Sequence, residues 1–268
     1  MSPDHTDAYR EDPEDPENVV WVLPGAAAHP RISLLVLPHS GGNAHSYAPW
    51  RDLLPGDVRL LIGQYPGRGA RFSEPPPTSI DDLAGPVVRC LPPDTGDLVI
   101  LGHSMGSLVA FEVARALTGA GRPPRALIAS ACRPPYVPNP SPVHPERLDD
   151  DALVAAIKAR GGTDDGILDE PELREIIMPP IRADFAIDDA YRFTADPSVL
   201  TCPVTVIGGN ADPVVPAIEL PGWSAVTSAR TAVGLMPGGH FYFQQQLPAF
   251  LALVTGVLNA VAAEHQPA

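Results

Sequence analysis

Short runs of consecutive apolar residues recur along the chain, and most are separated by stretches with helical spacing. "VVWVL", "ISLLVLPHS", "RLLIGQYPG", "DLVILGHS", "ALIASACR", "PVTVIGGNADP" and "TAVGLMPGGH" read as strands. Their cores are apolar at successive positions rather than alternate ones, which marks strands covered on both faces and hence a mostly parallel sheet. Between them "HSYAPWRDLL", "SIDDLAGPVVRCL" and "GSLVAFEVARALTGAG" read as helices, and a last helix is predicted from Phe241 to about Val261. Ser79 or the Asp81–Asp82 pair opens the second of these, and Pro86 is expected to bend or shorten it. The alternation predicts an α/β architecture with helices on both faces of the sheet.

Residues 135–200 break that alternation. Asp149 to Asp151 can cap a helix whose Leu153, Val154 and Ile157 share a face, with Gly161 to stop it. "DEPELREII" starts a second helix near Pro171, and "MPPIRADFAIDDAYRF" is expected to follow after a break. A helical excursion between two core strands reads as a lid over the carboxyl edge of the sheet; a decorative insertion is the plainer alternative.

Charge changes the picture in one respect. The net charge of −14 sits on two appendages: residues 1–18 carry seven acids against one arginine, and residues 145–192 carry thirteen acids against six bases. The rest is close to neutral, so no basic stripe is offered to nucleic acid. Residues 1–18, rich in Pro, Asp and Glu, read as a disordered tail ahead of one domain over 19–268. No run of about 18 apolar residues is present to span a membrane, and the amino terminus lacks the basic-then-apolar layout of a secretory signal. Cys90, Cys132 and Cys202 are odd in number and lack metal-ligand spacing, which predicts reduced, buried thiols in a cytoplasmic protein with no metal.

The candidate chemistry centres on Ser104. Gly102-His103-Ser104-Met105-Gly106 fits G-x-S-x-G, where the glycines let a strand turn sharply into a helix and leave the serine hydroxyl exposed. A serine hydroxyl needs a base. His240, in "MPGGHFYF", follows a late strand at the same sheet edge, whereas His5, His29, His144 and His265 lie in tail or loop text. The base needs an acid to fix its tautomer, and Asp212 follows the preceding core strand. Asp212 could instead serve only an Asx-type turn before Pro213, and Asp188 and Asp196 are rivals for the acid. The order Ser, Asp, His is that of the α/β-hydrolases. The oxyanion formed on attack needs two donors: the backbone N–H of Met105, and one from the glycine-rich "LPHSGGNAHSY", for which Ser40 is the candidate. His39 reads as an orienting or packing residue rather than a second base.

Taken in order, "LPHSGGNAHSY", "QYPGRGARF", "LGHSMGSLVAFEVARAL", "IIMPPIRADFAIDDAYRF", "VIGGNADPVV" and "MPGGHFYF" resemble a stand-alone (type II) thioesterase of polyketide and non-ribosomal peptide synthesis, over about residues 30–255. The resemblance implies an α/β-hydrolase fold with a helical lid and no cofactor. It implies hydrolysis of misprimed or stalled acyl groups from the phosphopantetheine arm of acyl or peptidyl carrier proteins. By motif it makes Ser104 the nucleophile, His240 the base, Asp212 the acid, and Met105 and Ser40 the oxyanion donors. The family more often has alanine where this chain has Ser40, a change to which a backbone donor is indifferent.

Met178, Ile181 and Phe185, with Leu153 and Ile157, are candidates to line an acyl chamber, although packing of the excursion onto the body would use them equally. Arg68, Arg71 and Arg133 follow core strands at the Ser104 edge and are candidates to meet an acidic carrier or the pantetheine phosphate, against a plain reading as solvated loop arginines. Three other readings remain open: a small-molecule esterase or acyltransferase with the same triad, a non-catalytic hydrolase-fold binding protein, and a cyclising domain cut from a larger synthase. Met1 and the plain tail point to an independent protein, read as a monomer.

Overall fold

The computed structural model describes residues 19–23, 25, 30–161, 168–193 and 199–264; the acidic segment 1–18 lies outside them. Among the described residues seven strands form one sheet: β1 (Val20–Leu23), β2 (Ile32–Leu37), β3 (Val58–Gly63), β4 (Asp97–His103), β5 (Ala126–Ser130), β6 (Val204–Gly209) and β7 (Thr231–Met236). Their order is β1-β3-β2-β4-β5-β6-β7. β1 pairs antiparallel with β3, and every other pairing is parallel.

From β2 to β6 both faces of the sheet are buried, which is why those strands lack polar alternation. The edge strand β7 departs from that expectation, with Ala232 to Leu235 exposed. Along β4, Leu98 and Ile100 pack on one face with α1 (Ile80–Cys90) and α2 (Met105–Gly119). Val99 and Leu101 pack on the other with α6 (Leu247–Ala263). This puts the carboxyl ends of β4, β6 and β7 on one edge, where Ser104, Asp212 and His240 follow. The excursion joins β5 to β6 and contains α3 (Asp150–Arg160) and α4 (Pro171–Ala190), which bury Leu153, Ile157, Met178 and Ile181 in a small core of their own. Among the described residues no helix is long and apolar enough to cross a membrane.

Local rules misplace several element boundaries. "HSYAPWRDLL" forms two 3-10 turns, Ala44–Ser46 and Ala48–Asp52, rather than a helix. Asn43 caps the first through the Ser46 amide, and Pro49 sits in the opening of the second. α1 continues through Pro86 without being shortened, and α4 continues as one helix through Pro179 and Pro180 where a break was expected. Proline removes one backbone donor and crowds the preceding turn. Both helices override that cost by burying an apolar face, and in α4 Pro180 is itself buried. The carboxyl-terminal helix is the reverse case. It divides into α5 (Tyr242–Gln245) and α6, with Pro248 in the opening turn of the second.

Candidate active site

Ser104 has φ 54° and ψ −127°, a conformation that L-residues avoid, between the end of β4 and the start of α2. The flanking glycines are required by contact as well as by the turn. A Cβ on Gly102 would lie 2.1 Å from the Gly106 carbonyl oxygen, and one on Gly106 would lie 2.1 Å from that of Leu37. The strained turn is cross-braced to β5. The Ser104 N–H donates to the Ser130 carbonyl (2.8 Å), and the Ser107 hydroxyl donates to the Gly102 carbonyl (2.8 Å) while accepting from the Ser130 N–H (3.1 Å).

Ser104, His240 and Asp212 meet at the sheet edge. His240 Nε2 lies 2.8 Å from Ser104 Oγ, and His240 Nδ1 lies 2.8 Å from Asp212 Oδ2. The side chains of His240 and Asp212 are 3% and 1% exposed. A carboxylate acceptor at Nδ1 calls for the tautomer with the proton on Nδ1, which leaves Nε2 to accept from the serine. The other Asp212 oxygen, Oδ1, accepts from the amides of Val214 (2.8 Å) and Val215 (3.1 Å). Asp212 therefore makes the Asx-type turn and also meets the histidine, so the two readings of it coexist. Of its rivals, Asp188 is taken up by Arg133 and Asn139, and Asp196 lies outside the described residues.

Met105 opens α2, so its N–H is one of the first-turn amides without an intrahelical acceptor. Ser40 occupies the second position of a turn closed by the Gly42 N–H on the His39 carbonyl (2.8 Å). Gly41 follows with φ 77°, the geometry of a type II turn. Ser40 lines a narrow cavity of about 30 Å³ with Ser104, His240, Ile181, Phe185 and Arg160. Met178 is buried in the core of the excursion instead and does not line that cavity. Arg160 was not singled out by the sequence, whose helical spacing marked only the apolar face of α3. It reaches the cavity by donating to the Ser141 carbonyl (2.8 Å) over the Phe185 ring.

Two further histidines stand behind the site. His39 Nδ1 meets the Tyr47 hydroxyl at 2.7 Å, and His103 Nδ1 meets the Ser130 hydroxyl at 2.8 Å. Burial, with smaller contributions from His240 and Arg68, pushes His39 down to about 3, and burial together with His240 and His39 holds His103 well below the usual histidine range. Both therefore stay neutral at neutral pH, which agrees with His39 as a packing residue. The unfolded chain binds these protons near pH 6.5, so stability is lost as pH falls below that value. His39 alone should cost about 2 kcal/mol between pH 7 and pH 5. Urea unfolding at the two pH values should show the drop, and His39→Gln should shrink it by that amount. An unchanged pH difference would refute a neutral, buried His39.

The three arginines expected at the surface are buried instead. Arg68 pairs with Asp184 (2.6 Å), Arg71 with Glu74 (2.6 Å) and Arg133 with Asp188 (2.9 Å). Each also donates to a carbonyl: Arg68 to Gly42, Arg71 to Gln64 and Arg133 to Val137. They brace loops from within and cannot meet a docking protein.

The family model of the thioesterase domain matches residues 33–257. The chain belongs to the thioesterase family. It is 36% identical over 223 residues to Thioesterase PikA5 of Streptomyces venezuelae, covering 82% of this chain and 78% of that protein. Among solved structures, the type II thioesterase BorB of the borrelidin cluster superposes with a TM-score of 0.78 at 33% identity, covering 89% of this chain and 97% of that one. YbtT, the type II thioesterase of the yersiniabactin pathway, superposes with a TM-score of 0.79 at 27% identity, covering 91% and 99%. The match to phenyloxazoline synthase MbtB of Mycobacterium tuberculosis is of a different kind: 33% identity over 253 residues that span only 17% of that protein. This thioesterase is a hydrolase of the α/β-hydrolase fold, and its resemblance to the type II enzymes extends through nearly their whole length.

Proposed function

We propose that this thioesterase removes misprimed or stalled acyl groups from the phosphopantetheine arms of carrier proteins in polyketide or non-ribosomal peptide assembly, with Ser104 as nucleophile. The observation that carries the residue roles is the hydrogen-bonded chain from Ser104 Oγ through His240 to Asp212, both links 2.8 Å long. His240 Nε2 takes the serine proton as Oγ attacks the thioester carbonyl, and Asp212 stabilises the resulting imidazolium. The amides of Met105 and Ser40 receive the developing oxyanion. Collapse expels the pantetheine sulfur. A thiol of pKa near 8.5 leaves more readily than an alcohol, so the step leans little on general-acid help. The imidazolium gives its proton to the departing thiolate. His240, neutral again, takes a proton from the water that attacks the acyl-enzyme and returns it to Ser104 Oγ as the acid leaves. The protein is read as a cytoplasmic monomer; Cys132 and Cys202 are buried as expected, whereas Cys90, at the end of α1, is exposed.

The test sets one acyl group on a carrier protein, on a small soluble thioester and on an oxyester, and measures hydrolysis of all three. The carrier thioester should give the highest kcat/KM, by about tenfold or more over the oxyester. Preference for the oxyester would make the protein a carboxylesterase of the same fold.

A further inference from the structure

The excursion touches the catalytic edge at one charged, fully buried point. Asp184, on α4, has no exposed surface, and three donors converge on its carboxylate. Oδ2 accepts from the Gly41 N–H (2.8 Å) and from Arg68 Nη1 (2.6 Å), and Oδ1 accepts from Arg68 Nη2 (2.8 Å). Arg68 in turn donates to the Gly42 carbonyl at 3.2 Å. Ile181, one turn earlier on the same helix face, packs directly on Gly41, where a Cβ would lie 2.9 Å from Ile181 Cγ1. Both central groups of the glycine-rich loop, the Gly41 amide and the Gly42 carbonyl, are thus held by one ion pair, half of it supplied by a residue 143 positions away.

We infer that Asp184 is a positioning residue: it fixes the turn that presents the Ser40 amide, so the oxyanion site is complete only while α4 is seated on that turn. The inference rests on the reading of Ser40 as an oxyanion donor. Gly41 lies immediately after Ser40 and has positive φ, and the direction of its N–H decides how the central peptide of the turn is oriented. Plain anchoring of a helix does not need this chemistry. A buried ion pair loses much of its attraction to desolvation, and apolar residues of similar volume hold a helix at least as well. An apolar residue cannot accept a backbone N–H. The carboxylate also has two oxygens for three donors, whereas asparagine has one.

The test uses Asp184→Asn and, because that change strands a buried Arg68, the paired replacement Arg68→Met with Asp184→Leu, which removes both charges. Each is assayed on a small soluble acyl thioester, with affinity for a boronic acid that forms a tetrahedral adduct on serine as a second readout. Both should lower kcat by about tenfold or more with KM within about threefold, and boronate affinity should fall in parallel with kcat/KM. Ser40→Pro supplies the reference. Proline is favoured at the second position of a type II turn, so it deletes the amide while keeping the turn, and it should cost about 10²-fold in kcat. On the Ser40→Pro background the Asp184 changes should add little. If Ser40→Pro leaves kcat intact, the oxyanion assignment falls and this inference with it. If Ser40→Pro is slow but the Asp184 changes alter only KM or melting temperature, or add in full, the positioning role alone is overturned.

Discussion

Replacing Ser104 by alanine should lower kcat by about 10⁴-fold or more and leave the protein folded. The two halves of this expectation have separate grounds. The hydroxyl stands 2.8 Å from His240 Nε2, so its loss removes the attacking atom and leaves a histidine with no proton to take. The fold does not depend on that hydroxyl, because the turn is braced by the Ser104 backbone on Ser130 and by the side chain of Ser107. Alanine must adopt the same positive φ, at no greater strain than serine. Melting temperature should therefore be unchanged or slightly raised, as is common when a strained catalytic group is simplified. Labelling by a fluorophosphonate should vanish together with turnover. A folded variant that keeps more than a few per cent of wild-type activity would remove Ser104 from the reaction.

What could be read from the chain divides along a physical line. The strands were legible because a run buried on both faces, such as "LVILGH", can be little else. Ser104, Asp212 and His240 were legible because each closes a strand at the same edge, with glycines that contact requires at Gly102, Gly106 and Gly209. The prolines of α4 misled because a local rule weighs the lost hydrogen bond but not the burial that outweighs it. Arg68 and Arg133 misled for a related reason. Their partners, Asp184 and Asp188, lie 116 and 55 residues away, and nothing local tells an inward-facing arginine from an exposed one. The pairing of Asp184 with Gly41 was hidden in the same way, since "RADF" looks like any polar face of a helix.

Asp212→Asn should be as damaging as the loss of the serine, about 10⁴-fold in kcat, although it changes the size of the side chain hardly at all. The surroundings dictate the outcome. Oδ1 of Asp212 accepts from two backbone amides, Val214 and Val215, and those donors do not move when the residue changes. The asparagine oxygen must face them, because turning the NH₂ group toward two N–H donors would set donor against donor. The NH₂ group then points at His240 Nδ1 and makes that nitrogen an acceptor. The ring proton is driven to Nε2, where it faces Ser104 Oγ and blocks the transfer that attack requires. KM should change little, since no substrate contact is lost. Asp212→Ala separates this account from a packing role. Alanine leaves a larger void but imposes no tautomer, so its kcat should be no lower than that of asparagine. A variant with asparagine that retained more than about a tenth of activity, or that clearly outperformed alanine, would mean that Asp212 shapes the loop without orienting the histidine.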